Sequence, residues 1–152
     1  LQIRESDENK PIEVIVTDEG LKIFIYDLLN KPFFKENSST LTEWGDFVLN
    51  TLAWLLDPKP FNIAIDAYHP KIFKNFKEDE ERLRQKYNQG TFTFWDLCIS
   101  RAQLVYRSLI YYGFTLRKVE KVAGSLDLPK EIKHDTQVIE ITLVLPKVKA
   151  NG

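Results

Sequence analysis

Apolar and polar residues alternate along two runs near the start of the chain, at Ile12–Thr17 and at residues 21–26. In the second run Leu21, Ile23 and Ile25 alternate with Lys22, Phe24 and Tyr26, which is the two-residue period of a β-strand. The intervening Asp-Glu-Gly has turn chemistry. The pattern therefore predicts a β-hairpin.

Two longer stretches have the three-to-four-residue spacing of amphipathic helices. The first begins after Thr42, a suitable N-cap, and ends before Asp57-Pro58. Its predicted apolar stripe contains Trp44, Phe47, Val48, Thr51, Leu52 and Leu55. The second runs from about Trp95 to Tyr112 and ends at Gly113. Its predicted sheet-facing stripe contains Trp95, Cys98, Ala102, Val105, Leu109 and Tyr112.

A second apolar stripe on this helix, formed by Leu97, Leu104 and Tyr111, has two interpretations. It packs against the first helix and the charged segment that precedes it, or it forms a homodimer contact.

Three further strands complete the prediction: Asn62–Tyr68, residues 138–145, and a weaker candidate at residues 118–123. The order indicates an α+β fold, a two-layer α/β sandwich whose mixed sheet carries the two main helices on one face. Residues 1–11 are expected to be a flexible lead-in to a domain at 12–148. A charged insertion at about 71–92 is expected to hold a short solvated helix or a mobile loop, with Phe73, Phe76, Phe92 and Phe94 as an exposed aromatic partner surface.

The composition bears on which ligands and which kinds of site the chain can have. The formal charge of −1 over 152 residues argues against a nucleic-acid partner. The only histidines, His69 and His134, are far apart, so no metal site is expected, and Cys98 is predicted to be a buried structural thiol. No phosphate-binding glycine loop or nucleophile turn occurs, so neither an enzyme nor a cofactor is predicted. No apolar run is long enough to span a bilayer, and the start at Leu1 indicates an excised or processed piece.

Several short segments occur in the order and spacing of one known family. They are residues 19–27 (EGLKIFIYD), 30–34 (NKPFF), 38–42 (SSTLT), 95–102 (WDLCISRA), 113–124 and 139–141 (IEI). Together they resemble the OmpA-like periplasmic domain of MotB-type flagellar stator proteins. The resemblance covers about residues 12–145 and implies the OmpA C-terminal-like version of the fold predicted above.

The resemblance also implies a peptidoglycan-binding site, in which an arginine holds the free carboxylate of diaminopimelate. Arg101 occupies the position of that arginine, with Leu97 and Thr136 at further site positions. The site is degenerate, because Pro70 replaces the family's aspartate, Phe94 replaces an asparagine, and TQVI at 136–139 replaces the "N-R-R-I" segment. Asp66 or His69 are possible substitutes for the missing acid. Alternatively, Arg101 is a surface ion-pair residue that faces the acids of the insertion.

Two functions remain in view at this stage. The first is a periplasmic stator domain, a homodimer that anchors the motor to the cell wall by weakened or altered peptidoglycan binding. Its parent protein would carry an N-terminal inner-membrane helix and a proton-channel subunit as partner. The second is an OmpA-like domain that no longer binds the wall and instead binds another protein of the envelope or the motor.

Overall fold

The computed structural model describes residues 10–70, 75–86, 92–132 and 136–146. In chain order its elements are β1 (Ile12–Thr17), β2 (Gly20–Tyr26), α1 (Glu43–Leu56), β3 (Asn62–Tyr68), α2 (Phe76–Lys86), α3 (Phe94–Tyr111), a 3-10 turn (Leu116–Lys118), β4 (Val119–Ser125) and β5 (Val138–Val144). Most of the predicted lead-in, together with Phe73 and His134, lies outside the described residues.

The five strands form one mixed sheet in the order β1-β2-β5-β3-β4. β3 and β4 are parallel, and the other neighbours are antiparallel. The predicted hairpin is present, with Thr17 opposite Gly20. Gly20 is required there because its φ is +131° and an added Cβ would lie 2.4 Å from the Leu143 carbonyl oxygen. The predicted fold class is confirmed.

The main core lies between one face of the sheet and helices α1 and α3. Its strand residues alternate with those of the far face, and its helix residues come from both helices. Its fully buried members include Ile25, Ile63, Ile65, Leu49, Ala102, Val105, Leu109 and Ile141. The apolar residues that alternate along the strands thus pack against the apolar residues that recur at helical spacing in α1 and α3, and together they form a single layer.

The predicted apolar stripe of α1 is confirmed at Val48, which is buried, and at Trp44 and Leu52, which pack against the core, but two of its members were wrong. Phe47 and Leu55 are 61% and 47% exposed, whereas Gly45 and Ala53 are buried. An added Cβ on Gly45 would lie 2.3 Å from the Phe33 carbonyl oxygen, so the helix approaches the preceding loop through its smallest residues. Close packing of small residues therefore decides the rotation of this helix.

Helix α3 begins at Phe94, where Thr93 accepts a hydrogen bond from the Asp96 amide at 3.0 Å. Trp95 was predicted to face the sheet but is 54% exposed, with its indole Nε1 donating to the Gly124 carbonyl oxygen at 3.1 Å. An added Cβ on Gly124 would lie 2.6 Å from the Ile99 amide nitrogen. The first turns of α3 thus lie directly on β4, which leaves no room beneath them for an indole ring.

The charged insertion contains a short helix, α2, as one of the two sequence interpretations expected. Leu83 of α2 is buried and packs with Phe94 and Leu97, partly covered by Phe76 and Phe92. The helix is therefore docked on α3 through the apolar side chains of Phe76 and Leu83, while most of its charged residues are exposed.

The far face of the sheet has its own cover. Phe24, Tyr26 and Val138 form a small second core with Ile132, and Leu128 packs against it. Buried charged residues lie beside this core, among them Lys22, Asp66 and Glu140. The sheet therefore has an apolar helix side and a mixed apolar and ionic far side.

Candidate functional site

The candidate site lies at one end of the sheet, where β2 and β3 end and β5 begins. Arg101 reaches this end from the second turn of α3 and is only 4% exposed. Its Nε donates to the Ser38 carbonyl oxygen at 2.8 Å, and its Nη1 lies 3.4 Å from Asp27 Oδ2. Nη1 also donates to Gln137 Oε1. The guanidinium is therefore held from two loops: the connection between β2 and α1, which carries Asp27 and Ser38, and the segment before β5, which carries Gln137.

An aromatic ring completes the enclosure of Arg101. The guanidinium carbon lies 4.4 Å from the centre of the Phe34 ring, within the range of a cation–π contact. Phe34 itself is 2% exposed. This contact partly offsets the desolvation of the charge and also closes the approach to it from that side.

Asp27 organises the loop that carries Phe34. Its Oδ1 accepts hydrogen bonds from the Phe33 amide at 2.8 Å and the Phe34 amide at 3.5 Å, while its Oδ2 faces Arg101. One carboxylate therefore fixes both the loop backbone and the arginine. This makes Asp27 the acid that orients Arg101.

The charge on Arg101 is incompletely compensated. Burial lowers the pKa of the guanidinium, and the nearby Asp27 carboxylate opposes that shift. The side-chain Nη2 is buried and has no hydrogen-bond partner among the described residues. The adjoining cavity, lined by Asp27, Phe34, Tyr68 and Gln137, measures about 10 Å³, the space of a single water. The site therefore has one hydrogen-bond donor, Nη2, that a ligand can use, but it has no open pocket.

Neither predicted substitute for the missing acid serves Arg101. Asp66 alternates with the core residues Ile65 and Ala67 and therefore lies on the far face, where Lys121 Nζ is 2.9 Å from its carboxylate. Burial raises the pKa of Asp66. The β-strand period, which places neighbouring side chains on opposite faces, is the reason that this expectation was wrong.

His69 lies on the Arg101 side but is not an anionic partner. It is 2% exposed, and its ring stacks on Phe94 with centroids 4.0 Å apart. Burial, with a smaller contribution from Arg101, lowers the pKa of His69 to about 4. At neutral pH it is a neutral, packed side chain.

The other two predicted site residues, Leu97 and Thr136, are not among the hydrogen-bond partners of Arg101, which are Ser38, Asp27 and Gln137. Thr136 donates its hydroxyl to the Gln137 carbonyl oxygen at 3.4 Å, and the next residue, Gln137, provides the side chain that meets Arg101. Leu97 is 7% exposed and packs with Leu83 and Phe94. The structure thus brings Arg101 together with Gln137, the neighbour of Thr136, and peptidoglycan binding by Arg101, Leu97 and Thr136 stays a prediction.

The predicted dimer stripe does not form one exposed surface. Leu97 is covered by the insertion, as the first of its two interpretations expected, and Leu104 is partly buried against the main core. Only Tyr111, at 82%, is largely exposed.

The predicted aromatic partner surface was also wrong, because its described members pack on one another. Phe76 and Phe94 have ring centroids 5.0 Å apart, and Phe92 and Phe94 5.5 Å apart. Glu80 Oε2 accepts a hydrogen bond from the Phe94 amide at 2.7 Å, and Arg84 Nη1 donates to the Phe92 carbonyl oxygen at 2.9 Å. Glu80 is therefore occupied locally, and the alternative role of Arg101 as a surface partner of these acids was wrong, because Arg101 is buried and pairs with Asp27.

The described residues give little support to nucleophilic catalysis or metal binding. Cys98 is buried, as predicted, and burial raises its pKa to about 12, so it is a thiol at neutral pH rather than a nucleophile. No cluster of three or more metal-ligating side chains occurs among the described residues. None of the helices in that part of the chain combines the length and apolarity needed to cross a bilayer.

Sequence reasoning missed three residues that hold Arg101: Asp27, Phe34 and Gln137. Signals for two of them were present, because Asp27 and Phe34 lie in the segments that carry the family resemblance. An acid directly after a predicted strand and an aromatic pair in the next turn indicate a structured loop. The backbone contact of Arg101, to the carbonyl oxygen of Ser38, has no sequence signal because any residue supplies a carbonyl oxygen.

Several solved structures share this architecture. The periplasmic domain of Helicobacter pylori MotB superposes with a TM-score of 0.64 at 15% identity, covering 90% of this chain and 83% of that one. A MotB-like protein from Desulfovibrio vulgaris gives 0.65 at 17% identity, covering 89% and 82%. The cell wall anchor of the Pseudomonas aeruginosa type VI secretion system (T6SS) gives 0.65 at 14% identity, covering 95% and 94%. No protein-family model and no curated protein sequence matches the chain.

These comparisons confirm the resemblance at the level of the fold. The chain has the OmpA-like architecture of MotB periplasmic domains over nearly its whole length. At identities of 13–18% the shared fold says nothing by itself about ligands. Function must be argued from the site.

Proposed function

We propose that this chain is a periplasmic, cell-wall-associated domain of a MotB-like stator protein, in which Arg101 receives a carboxylate of a peptidoglycan stem peptide. The observation that carries the proposal is the buried Nη2 of Arg101, which has no hydrogen-bond partner among the described residues. A buried charged donor in that state is costly unless a ligand completes it.

The balance of charge around Arg101 supports an anionic ligand. The guanidinium has one carboxylate neighbour, Asp27 at 3.4 Å, and its other two acceptors are neutral oxygens of Ser38 and Gln137. A planar guanidinium binds a carboxylate best through two parallel N–H donors. Nη2 has no hydrogen-bond partner among the described residues, and rotation of the Gln137 side chain frees Nη1. A second carboxylate then accepts one hydrogen bond from each of these two nitrogens.

The enclosure of the site indicates weakened binding. A cavity of about 10 Å³ holds a water but no carboxylate, so the ligand must displace the Gln137 side chain. The buried Pro70 and Phe94, which replace the family's acid and amide, supply no side-chain hydrogen bond in return. Affinity is therefore expected to be lower than in a site with all its polar groups.

The stator assignment rests on the fold. Two of the structures that share it are periplasmic MotB or MotB-like domains, and a third is named as a cell wall anchor. By analogy the parent protein carries an inner-membrane helix before this domain and assembles with a proton-channel subunit. In that arrangement the domain links the membrane complex to the wall.

Co-sedimentation with purified peptidoglycan tests the proposal. The wild-type chain is expected to bind, and Arg101→Ala is expected to weaken binding at least about tenfold, equivalent to roughly 1.4 kcal/mol. Arg107→Ala is the matched control, because Arg107 lies on the same helix and is exposed. Thermal unfolding of each variant shows whether a loss of binding reflects a loss of fold.

Arg101→Lys separates charge from geometry. Lysine keeps the positive charge but lacks the planar pair of donors, so binding between the wild-type and alanine levels is expected. Failure of the folded wild-type chain to bind peptidoglycan, or full binding by folded Arg101→Ala, would overturn the proposal.

A second candidate is an envelope or motor interaction domain that no longer binds the wall. The observation in its favour is the 4% exposure of Arg101, with hydrogen bonds to Ser38 and Gln137 already formed. This candidate predicts that the wild-type chain does not sediment with peptidoglycan at any accessible concentration.

A further inference from the structure

Four large apolar side chains are exposed at the end of the helix layer where β3 and β4 begin. They come from the last turn of α1, the last turn of α3 and the 3-10 turn before β4. They are Trp54, Leu55, Tyr111 and Leu116, which are 75%, 47%, 82% and 56% exposed. Apolar side chains that lie together on a surface are typical of a binding site, whereas scattered ones are not.

Hydrogen bonds hold the segments that carry these side chains together. The Asp57 carboxylate, just after α1, accepts from the amide and the hydroxyl of Thr115, each at 2.8 Å. Lys118 Nζ donates to the carbonyl oxygens of Asp57 and Lys59, at 2.6 and 2.8 Å. Leu116 lies between the two anchored residues, Thr115 and Lys118. The end of α1 and the 3-10 turn are therefore fixed side by side.

A groove lies between the ends of the two helices. It measures about 430 Å³, and its lining includes Trp54, Leu55 and Tyr112. The ring of Tyr112 also packs edge-on against that of Tyr111, with centroids 5.1 Å apart. The exposed apolar side chains of α1 and α3 therefore belong to one continuous surface that the fold holds in place.

The charge of this surface is positive, although the whole chain carries −1. The two segments that form it, 54–60 and 111–119, contain three cations and one acid, which gives a formal charge of +2. Lys59 and Arg117 are exposed, and neither forms an ion pair with a described residue. The acids in and beside these segments accept hydrogen bonds from other residues: Asp46 from Tyr112, Asp57 from Thr115 and Glu120 from Asn62. Two exposed cations are thus left to meet a negatively charged partner.

We propose that this surface docks on an anionic phospholipid bilayer. We call it the aromatic-basic patch, formed by Trp54, Leu55, Tyr111 and Leu116 with the cations Lys59 and Arg117. Tryptophan and tyrosine side chains prefer the boundary between lipid headgroups and acyl chains, because each has an apolar ring and a polar atom. Leucines beside them enter the acyl region, and lysine and arginine meet the lipid phosphates. The combination of these groups therefore fits an anionic bilayer surface.

The aromatic-basic patch and Arg101 lie at opposite ends of the sheet. The Arg101 site lies where β2 and β3 end, whereas the patch lies where β3 and β4 begin. The seven residues of β3 span about 23 Å between them. The domain can therefore contact a bilayer at one end and a stem peptide at the other. Docking does not require Arg101, so folded Arg101→Ala should bind vesicles as the wild-type chain does.

Co-sedimentation with lipid vesicles tests the docking. The wild-type chain is expected to bind vesicles of equal parts phosphatidylglycerol and phosphatidylcholine at least about tenfold more tightly than phosphatidylcholine alone, and added salt should weaken this binding. Lys59→Glu and Arg117→Glu should each weaken it at least about fivefold, because each brings a negative charge to an anionic surface. Lys35→Glu is the matched control, since Lys35 is exposed near the Arg101 end of the sheet, and it should change binding less than about twofold.

Fluorescence quenching by lipids with brominated acyl chains tests insertion of the aromatic side chains. Trp54→Phe leaves Trp44 and Trp95, which lie in the first turns of α1 and α3, away from the patch. Brominated vesicles should quench the wild-type chain, and Trp54→Phe should lose most of this quenching because the acyl chains contact Trp54. Leu116→Ser should weaken vesicle binding severalfold, whereas Leu29→Ser, at a fully exposed leucine near the Arg101 end, should not.

Circular dichroism establishes that each variant is folded, and two cation variants at exposed positions allow for the failure of one. The proposal is overturned if the folded wild-type chain does not bind anionic vesicles. It is equally overturned if Lys35→Glu weakens binding as much as Lys59→Glu and Arg117→Glu do, or if brominated lipids quench Trp54→Phe as strongly as the wild type. Because none of these measurements uses peptidoglycan, their outcome is separate from that of wall binding by Arg101.

Discussion

Lys22 and Arg101 are both buried cations, but they lie on opposite faces of the same sheet and are neutralised in different ways. Lys22, on the far face, has Glu19 at 2.9 Å, Glu140 at 3.0 Å and Glu131 at 3.8 Å. Arg101, on the helix face, has one carboxylate at 3.4 Å. The two cations differ in the number of negative charges around them rather than in their burial.

The pKa directions follow from that difference. Burial acts to lower the pKa of Lys22, but the hydrogen bonds to Glu19 and Glu140 outweigh it and leave the pKa above its ordinary value. For Arg101 burial is the larger effect, and the pKa is lowered. A cation with surplus acids is suited to holding a structure together, whereas one with too few acids is suited to receiving an anion.

The largest expected effect comes from removing the cation on the far face. Lys22→Met leaves Glu140, which is 3% exposed, without its counter-ion. Loss of one partner from a buried pair costs roughly 3–5 kcal/mol of unfolding free energy. Urea denaturation monitored by tryptophan fluorescence measures it.

Two matched substitutions provide reference values for the cost of Lys22→Met. Lys121→Met removes a cation whose side chain is 57% exposed and should cost less than about 1 kcal/mol. Arg101→Met should cost about 2 kcal/mol, because Asp27 keeps its amide donors from Phe33 and Phe34. If Arg101→Met proves as costly as Lys22→Met, the distinction between the two cations fails.

Acidification should also change the stability that the two faces contribute in opposite directions. His69, on the helix face, has its pKa lowered from 6.5 to about 4, so the unfolded chain binds this proton first and stability falls as the pH drops from 6.5 to 4. The loss is about 3 kcal/mol at pH 4. Asp66, on the far face, has a raised pKa, so the folded chain binds its proton first and acidification adds stability there.

His69→Phe isolates the helix-face contribution, because phenylalanine can pack against Phe76 and Phe94 without titrating. Denaturation between pH 7 and 4 should show a shallower loss of stability in this variant than in the wild type. Equal slopes for the two proteins would mean that His69 is not kept neutral by the fold.

The smallest expected effect concerns the hydrogen bonds that support Glu140. The Thr142 hydroxyl donates to Glu140 Oε2 at 2.9 Å within the buried far face. Thr142→Val keeps the shape and removes this donor, which should cost about 1 kcal/mol because Lys22 and Tyr68 still serve the carboxylate. Added to Lys22→Met, it should cost more than it does alone, a coupling that a double-mutant cycle measures.

Local patterns determined much of the fold. Alternation specified β1, β2, β3 and β5 because one face of each strand must leave water, and the caps Thr42 and Gly113 specified helix ends. The position of Arg101 followed from its place in a short motif on the helix that the structure shows as α3. These features depend on neighbours in the chain, which a sequence displays directly.

Tertiary structure decided the rest. Asp27, Ser38 and Gln137 meet Arg101 from loops 36 to 74 residues away in sequence, a distance over which no periodicity operates. Asp66 and His69 lie close together in sequence yet on different sides of the sheet, and only the packed layers show which side holds the site. The sequence by itself determined which cation would stand on α3. The folded chain decided how many charges surround it, because charge compensation depends on distances through space and not along the chain.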